Sequence, residues 1–132
     1  MLTPDSQLWQ KLAWLAVAGA AGTLARYGLS GLVQRLQPSG FPWGTFAVNG
    51  LGCLLFGIVW ALAEERMVIS GLTRLVLLVG FMGAFTTFSS FAFETSQMLD
   101  DSQWLMAAAN LLAQNVIGIA LVLAGIALGR MI

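Results

Sequence analysis

An all-α membrane protein of four transmembrane helices is the fold this sequence predicts, and three observations carry the prediction. Of 132 residues, 58% are hydrophobic and 9% charged, against about 25% charged in an ordinary soluble domain. The mean hydropathy is +0.84. Three charge-free runs, 36–63, 75–93 and 102–129, are 28, 19 and 28 residues long, and about 20 apolar residues cross a bilayer as a helix. A soluble enzyme is excluded. Residues 1–132 read as a single transmembrane domain with helices over about 8–36, 43–63, 72–99 and 102–129.

The first helix carries Lys11 at its start, Arg35 at its end and Arg26 between, in a background of Ala, Leu, Gly and Val. The triplet Ala16-Val17-Ala18 mimics a signal-peptide cleavage site, but Asp5 spoils a positive leader and the apolar pattern continues to Leu36, so a retained helix is expected. Pro38 and Pro42 end it, because proline cannot continue a helix and turns its predecessor away from the α region. The second helix closes at Glu64-Glu65-Arg66, the third at Asp100-Asp101 and the fourth at Arg130. Trp9, Trp14, Trp43, Trp60 and Trp104 fall near these ends, where amphipathic rings sit at headgroup level. Both termini then share one side. Lys11, Arg66, Arg74 and Arg130 lie there against Arg35 opposite, which points the termini to the cytoplasm. Four short helices cannot enclose a wide pore alone, so a homo-oligomer is expected.

Charge and composition remove whole classes of function. Six basic and six acidic residues sum to zero, leaving no basic face for nucleic acid. With no His and Cys53 as the one cysteine, a disulfide, a Cys/His zinc site, a haem ligand and His-based acid–base catalysis are absent within one chain. The acids lie at helix ends and no Lys lies inside a span, so no nucleophile and base pair presents itself.

Polar groups at bilayer depth are costly, which makes their positions informative. Arg26 either snorkels toward the Arg35 end or faces protein, water or an anion. Asn49, between Val48 and Gly50, either ties two helices together or donates its amide to an anion. The third segment, Gly80-Phe81-Met82-Gly83-Ala84-Phe85-Thr86-Thr87-Phe88-Ser89-Ser90-Phe91, puts glycines and four hydroxyls at the midplane. Glycine costs about 1 kcal/mol relative to Ala in a helix, and Thr is also disfavoured, so a break is expected here. Broken membrane helices survive where freed carbonyls face a cavity, an ion or protein. A cation-binding break and tight small-residue packing both fit.

Phe88 and Phe91 share a face at i, i+3 spacing, with Phe85 read on the same stripe. Aromatic stripes are usually core or lipid-facing. Here hydroxyls interleave them, and positive ring edges beside Ser and Thr suit a path for a small anion. Glu94, a turn beyond Phe91, reads as an interfacial carboxylate. On the fourth helix Asn110, Gln114 and Gly118 form a polar stripe with Asn115 adjacent, while Gly125 and Gly129 form a packing motif.

Three strings together, Gly19-x-x-Gly22-x-x-x-Arg26-Tyr27, Gly44-Thr45-x-x-Val48-Asn49-x-x-Gly52 and Gly80-x-x-Gly83-x-x-Thr86-Thr87-Phe88-Ser89-Ser90-Phe91, resemble the Fluc/CrcB family of bacterial fluoride channels. The third string is the specific one, and the resemblance covers nearly the whole chain. It implies an antiparallel dual-topology homodimer in the bacterial inner membrane, embedded among lipids. It also implies two narrow fluoride pores, passive fluoride export that reduces toxicity, and one central structural Na⁺. By position, the backbone carbonyls of Gly83 and Thr86 from both copies would hold the sodium. Phe88 and Phe91 would present ring edges to fluoride, and Asn49 would donate an amide hydrogen bond. Thr87, Ser89, Ser90 and Gln114 would complete the polar path, and Arg26 and Glu94 would lie at a vestibule. Where the family tends to place Tyr and Ser on the fourth helix, this chain carries Asn110, Gln114 and Gly118.

Two other classes compete. A proton-coupled small multidrug-type transporter also has four short helices, but it needs an acid deep in the first helix, where this chain has Arg26. A small non-transporting assembly subunit requires the buried polar residues to be helix glue alone.

Overall fold

Inside a bilayer no water bonds to the backbone, so an apolar chain satisfies its own N–H and C=O groups by forming helices. The computed structural model describes residues 4–132, and these are helical nearly throughout. Helix α1 runs Pro4–Leu36. Helix α2 runs Trp43–Trp60 and continues as a wider π-wound turn, Ala61–Glu65. Helix α3 starts at Gly71–Leu75, continues π-wound through Val76–Met82 and finishes in the turn Gly83–Phe85. Helix α4 is Phe88–Asp100 and helix α5 is Trp104–Met131. Grouped by span, Asp5–Leu36, Trp43–Glu65, Gly71–Asp100 and Trp104–Met131 are four helical segments long and apolar enough to cross a membrane. Outward-facing Leu24, Val79, Val116 and Leu123 are exposed in the isolated chain, as side chains meant for lipid would be. The chain is a multi-pass membrane protein.

Two boundaries differ from the hydropathy reading. Among the described residues helix α1 already includes Pro4, ahead of residue 8, with Asp5 in its first turn, where a carboxylate meets the positive end of the helix dipole. The fourth span begins at Trp104 rather than at residue 102. Ser102 has φ 60°, and Ser102 N–H and Gln103 N–H donate back to Leu99 and Met98 carbonyls at 3.0 and 2.7 Å. That pattern is the Schellman end of α4, with Ser102 in the left-handed position glycine usually fills.

The 37–42 turn is held from α1. Pro42 caps α2 without a side-chain hydrogen bond, so the Gln34 Oε1 atom accepts from Gly44 N–H at 3.1 Å and its Nε2 donates to Phe41 O at 3.3 Å. At the opposite end of the molecule Glu64 pairs with Arg74. Arg130 pairs with Glu65 through two contacts of 2.5 and 2.8 Å. Two of the basic residues counted on the terminal side, Arg74 and Arg130, are thus held in ion pairs.

Helices α2 and α5 form the most extensive contact, and α1 lies against α2 and the first half of the third span. The α2–α5 approach is backbone to backbone. A Cβ on Gly125 would fall 2.1 Å from Leu54 O, and one on Gly57 would fall 2.3 Å from Val122 O. Small residues drive such packing in membranes, where lipid tails are as apolar as the helix face. The core is Val48, Leu78, Met82 and Phe85, with Ala25, Leu29, Leu55, Val59 and Phe81 against it.

A side chain at this crossing should force α2 and α5 apart. Gly125→Val is expected to lower the unfolding midpoint in detergent, by a destabilisation of about 1–3 kcal/mol or more. Gly71→Ala, which meets open space, should move it by no more than about 0.5 kcal/mol.

Candidate functional site

The centre of the third span is not helical. Thr86 (φ −83°, ψ 159°) and Thr87 (φ −147°, ψ 112°) are extended, and a new helix starts at Phe88. Three local features make the change of direction. Thr86 turns its hydroxyl back onto Met82 O at 2.9 Å, competing with the backbone ladder as threonines do. Thr87 caps α4, its Oγ1 accepting from Ser90 N–H at 3.2 Å. Gly52 on α2 makes room, because a Cβ there would meet Thr86 Cγ2 at 2.1 Å.

Asn49 secures the interruption from α2. Its Nδ2 donates to Thr87 O at 3.0 Å and its Oδ1 accepts from Thr87 N–H at 2.8 Å, so one amide satisfies both backbone groups of one residue. An uninterrupted helix would aim that N–H at the Gly83 carbonyl. The clasp therefore releases the Gly83 carbonyl from its helical partner. Gly83 is exposed and Thr86 half-buried on the single chain.

The polar contacts continue across α5. The second hydrogen on Asn49 Nδ2 goes to Gln114 Oε1 at 2.8 Å. Gln114 Nε2 donates to Asn110 Oδ1 at 3.2 Å, and Asn110 Nδ2 donates to Thr95 Oγ1 at 2.9 Å. Thr95 Oγ1 donates to Phe91 O at 2.7 Å. Asn110 is fully buried. A buried polar group without a partner costs several kcal/mol, so these contacts are needed for the three elements to pack at all. Asn110 and Thr95 were outside the residues assigned a site role from sequence; the i, i+4 polar stripe on α5 was the signal for Asn110, and Thr95, on α4, had none.

Three cavities surround this network. A groove of about 380 Å³ is lined by Asn49, Thr86, Thr87, Phe88, Phe91 and Gln114 among others, with Cys53 and Asn115 at its wall. Phe88 and Phe91 meet edge to face there, with centroids 5.6 Å apart at 61°. Phe91 is buried and Phe88 is 78% exposed, so the groove is open on the Phe88 side. On the other side of Thr87, a cavity of about 310 Å³ holds Arg26, Thr45 and Ser90. Arg26 pairs with no carboxylate among the described residues. Thr45 also borders a wider cavity of about 560 Å³ that contains Glu94, Gln34 and Gln97.

Two sequence readings change. Phe85 is not on the Phe88–Phe91 stripe: it precedes the extended residues and stacks on Phe81 at 5.6 Å in the core. Glu94 is not a freely hydrated carboxylate: Oε1 accepts from Thr45 Oγ1 at 2.6 Å, and Oε2 is buried with no partner among the described residues. Of the predicted polar path, Ser89 is exposed and lies outside the described cavity linings, while Ser90 faces Arg26 rather than the groove. Thr45 is the contact that the residues chosen from sequence omitted, although its spacing four before Asn49 places both on one face of α2.

Removing the clasp should be costly. Asn49→Leu strands Thr87 N–H and C=O, each worth about 1–3 kcal/mol when buried and unpaired. The expected result is a lower unfolding midpoint and faster hydrogen exchange at the Thr87 amide than at Phe91.

Comparison with known proteins shows the family. The family described as "CrcB-like protein, Camphor Resistance (CrcB)" matches residues 13–126. A protein of Nitrosococcus oceani named "Fluoride-specific ion channel FluC" is 62% identical over 95% of this chain and 100% of its own length. Proteins of the same name from Solidesulfovibrio magneticus and Nitratidesulfovibrio vulgaris (strain Miyazaki F) are 56% and 52% identical over 93% of this chain, covering 98% and 99% of their lengths. With the family match spanning most of the residues and such relatives aligned nearly end to end, the chain belongs to the CrcB family.

Proposed function

We propose that this protein is a fluoride channel of the bacterial inner membrane that lets accumulated fluoride leave passively and so reduces its toxicity. The observation that carries the reading is the groove beside the interrupted third span, in a chain whose similar relatives are named fluoride-specific ion channels. Its polar lining is neutral: amides, hydroxyls and ring edges replace hydration water without the full charge that would trap a small anion. Phe88 and Phe91 turn positive ring edges toward the ion. Thr87 sets the wall between groove and inner cavity, and Ser90 adds its hydroxyl to the inner cavity beside Arg26. Arg26 draws anions to the approach, where an unpaired guanidinium raises local anion concentration. Glu94, tied to Thr45, borders the same approach.

Phe88 is bare in one chain and the groove is open beside it, which supports completion by a second copy. We read the assembly as an antiparallel dual-topology homodimer with two pores. The donor set at the interruption fits a hard monovalent cation such as Na⁺. No group of three or more His, Cys, Asp or Glu gathers among the described residues, so carbonyl oxygens are the ligands on offer. Gly83 and Thr86 from each copy would hold the ion, Gly83 through the carbonyl that the Asn49 clasp releases. When bound, it supplies positive charge that fixes the two interruptions against each other. No observation favours the proton-coupled multidrug-type carrier, since the acid of α1 is Asp5 in its first turn.

Liposomes holding the purified protein should release fluoride, read with a fluoride electrode, much faster than they release chloride. Phe88→Ile and Phe91→Ile should each cut fluoride release by about two- to tenfold, because aromatic contacts are worth about 0.5–1.5 kcal/mol and tenfold is about 1.4 kcal/mol. Unchanged flux in both variants, with the dimer intact by size-exclusion chromatography, would remove the ring-edge mechanism.

A further inference from the structure

The turn that joins the second span to the third carries a large apolar residue in a conformation that suits glycine. After the π-wound residues Ala61–Glu65, Arg66 N–H donates to Ala61 O and Val68 N–H to Leu62 O, both at 2.9 Å. These bonds close the helix end with Met67 at φ 56°, the left-handed position in which a side chain is strained. Ser102 holds the same conformation at the end of α4, but its side chain is small and polar. Met67 brings a long thioether that lies mostly outside the molecule: it is 81% exposed, and Val68 beside it is 70% exposed. Met67 also borders a hollow of about 390 Å³ with Ala63, Ile69 and Ser70, so it is not packed down on the helices from which the turn springs. An observed backbone outlier of this kind is a reason to look for a function.

Charge and depth at the same place point to one partner. The neighbouring acids are engaged, Glu64 by Arg74 and Glu65 by Arg130. Arg66 pairs with no carboxylate among the described residues. Its Nη1 donates to the Arg130 carbonyl at 3.3 Å, which leaves most of a five-donor fork free. The span that ends here, Trp43–Glu65, has 23 residues, or about 34 Å of helix, against a hydrocarbon core of about 30 Å. With Trp43 at one interface, the turn therefore emerges at the headgroup boundary opposite. Water would solvate the guanidinium and leave two apolar side chains bare, whereas an anionic phospholipid surface takes both, phosphate on the guanidinium and acyl chains on Met and Val. We propose that residues 66–68 anchor the chain to anionic phospholipid, with Arg66 on a headgroup phosphate and Met67 and Val68 in the acyl boundary. The left-handed Met67 is the device that turns these side chains outward. The inference needs the membrane fold and is independent of the fluoride-channel reading.

The test places the full-length protein in bilayers of phosphatidylcholine with increasing phosphatidylglycerol and follows amide hydrogen exchange. Exchange across residues 66–70 should slow by about fivefold as phosphatidylglycerol is added, the contribution of one arginine at an anionic surface, while the 37–42 turn stays unchanged. Added salt should reverse the slowing, and Arg66→Gln should abolish it. Met67→Gly separates anchoring from folding: glycine suits the left-handed position, so the unfolding midpoint in detergent should rise while the response to phosphatidylglycerol is lost. A nitroxide on Val68→Cys, in a Cys53→Ser background, should be reached more readily by oxygen than by a water-soluble nickel complex. Comparison of the two lipids on the unaltered protein decides the matter if a variant does not fold. Exchange that is the same in both lipids, or slowing that persists in Arg66→Gln, overturns the anchor. So does slowing produced by soluble inorganic phosphate, which would assign the turn to a free anion, or slowing that follows protein density in the bilayer, which would assign it to a second protein.

Discussion

Everything at the centre of this molecule depends on one side chain satisfying one peptide unit in a place without water. An extended residue at bilayer depth exposes an N–H and a C=O that hydrocarbon cannot solvate. Asn49 meets both groups of Thr87, at 2.8 and 3.0 Å, from a neighbouring helix. Because the bond comes from α2 rather than from within the third span, the interruption is a tertiary feature. It exists only while α2 and the third span stay in register. The polar groove, the released Gly83 carbonyl and the start of α4 all follow from that clasp.

The clasp in turn needs close helices. Amides reach one another at about 2.9 Å, a range available only if the backbones carrying them approach closely. Gly52 admits Thr86, and Gly57 and Gly125 let α2 and α5 meet at their carbonyls. Small residues and polar residues thus act together here: the first bring the elements near, and the second fix their rotation. A van der Waals contact tolerates sliding along the helix axis, whereas a chain of amides closed at both ends by backbone groups does not.

Charge is distributed to suit passage rather than capture. Inside the groove the polar groups are dipoles, and the ionisable side chains Arg26 and Glu94 stand in the adjoining cavities. A cation in the narrow part would bind a small anion too strongly to let it go, while a carboxylate there would repel it. Neutral donors and ring edges lie between those extremes. The exposed end carries its acids and bases in pairs, Glu64 with Arg74 and Glu65 with Arg130.

Much of this architecture is legible in the linear sequence because its causes are local. Charge-free runs of bilayer length define the spans, and Gly83, Thr86 and Thr87 weaken the third at its middle. Asn49, Arg26 and Gln114 announce themselves as polar residues where polarity is expensive. What sequence could not supply is rotation and partnership. Phe85 reads as continuous with Phe88 and Phe91 only if the helix is unbroken, and the extended Thr86 and Thr87 turn it into the core instead. Glu94 looks interfacial until Thr45, 49 positions away, is found beside it. Asn49 reads from sequence as a helix tie or an anion donor, and its contacts with Thr87 and Gln114 come from two other elements. Composition along the chain determined that the protein spans a membrane and where it bends. Only the tertiary structure decided which groups those polar residues meet, because their hydrogen-bond partners lie on other helices.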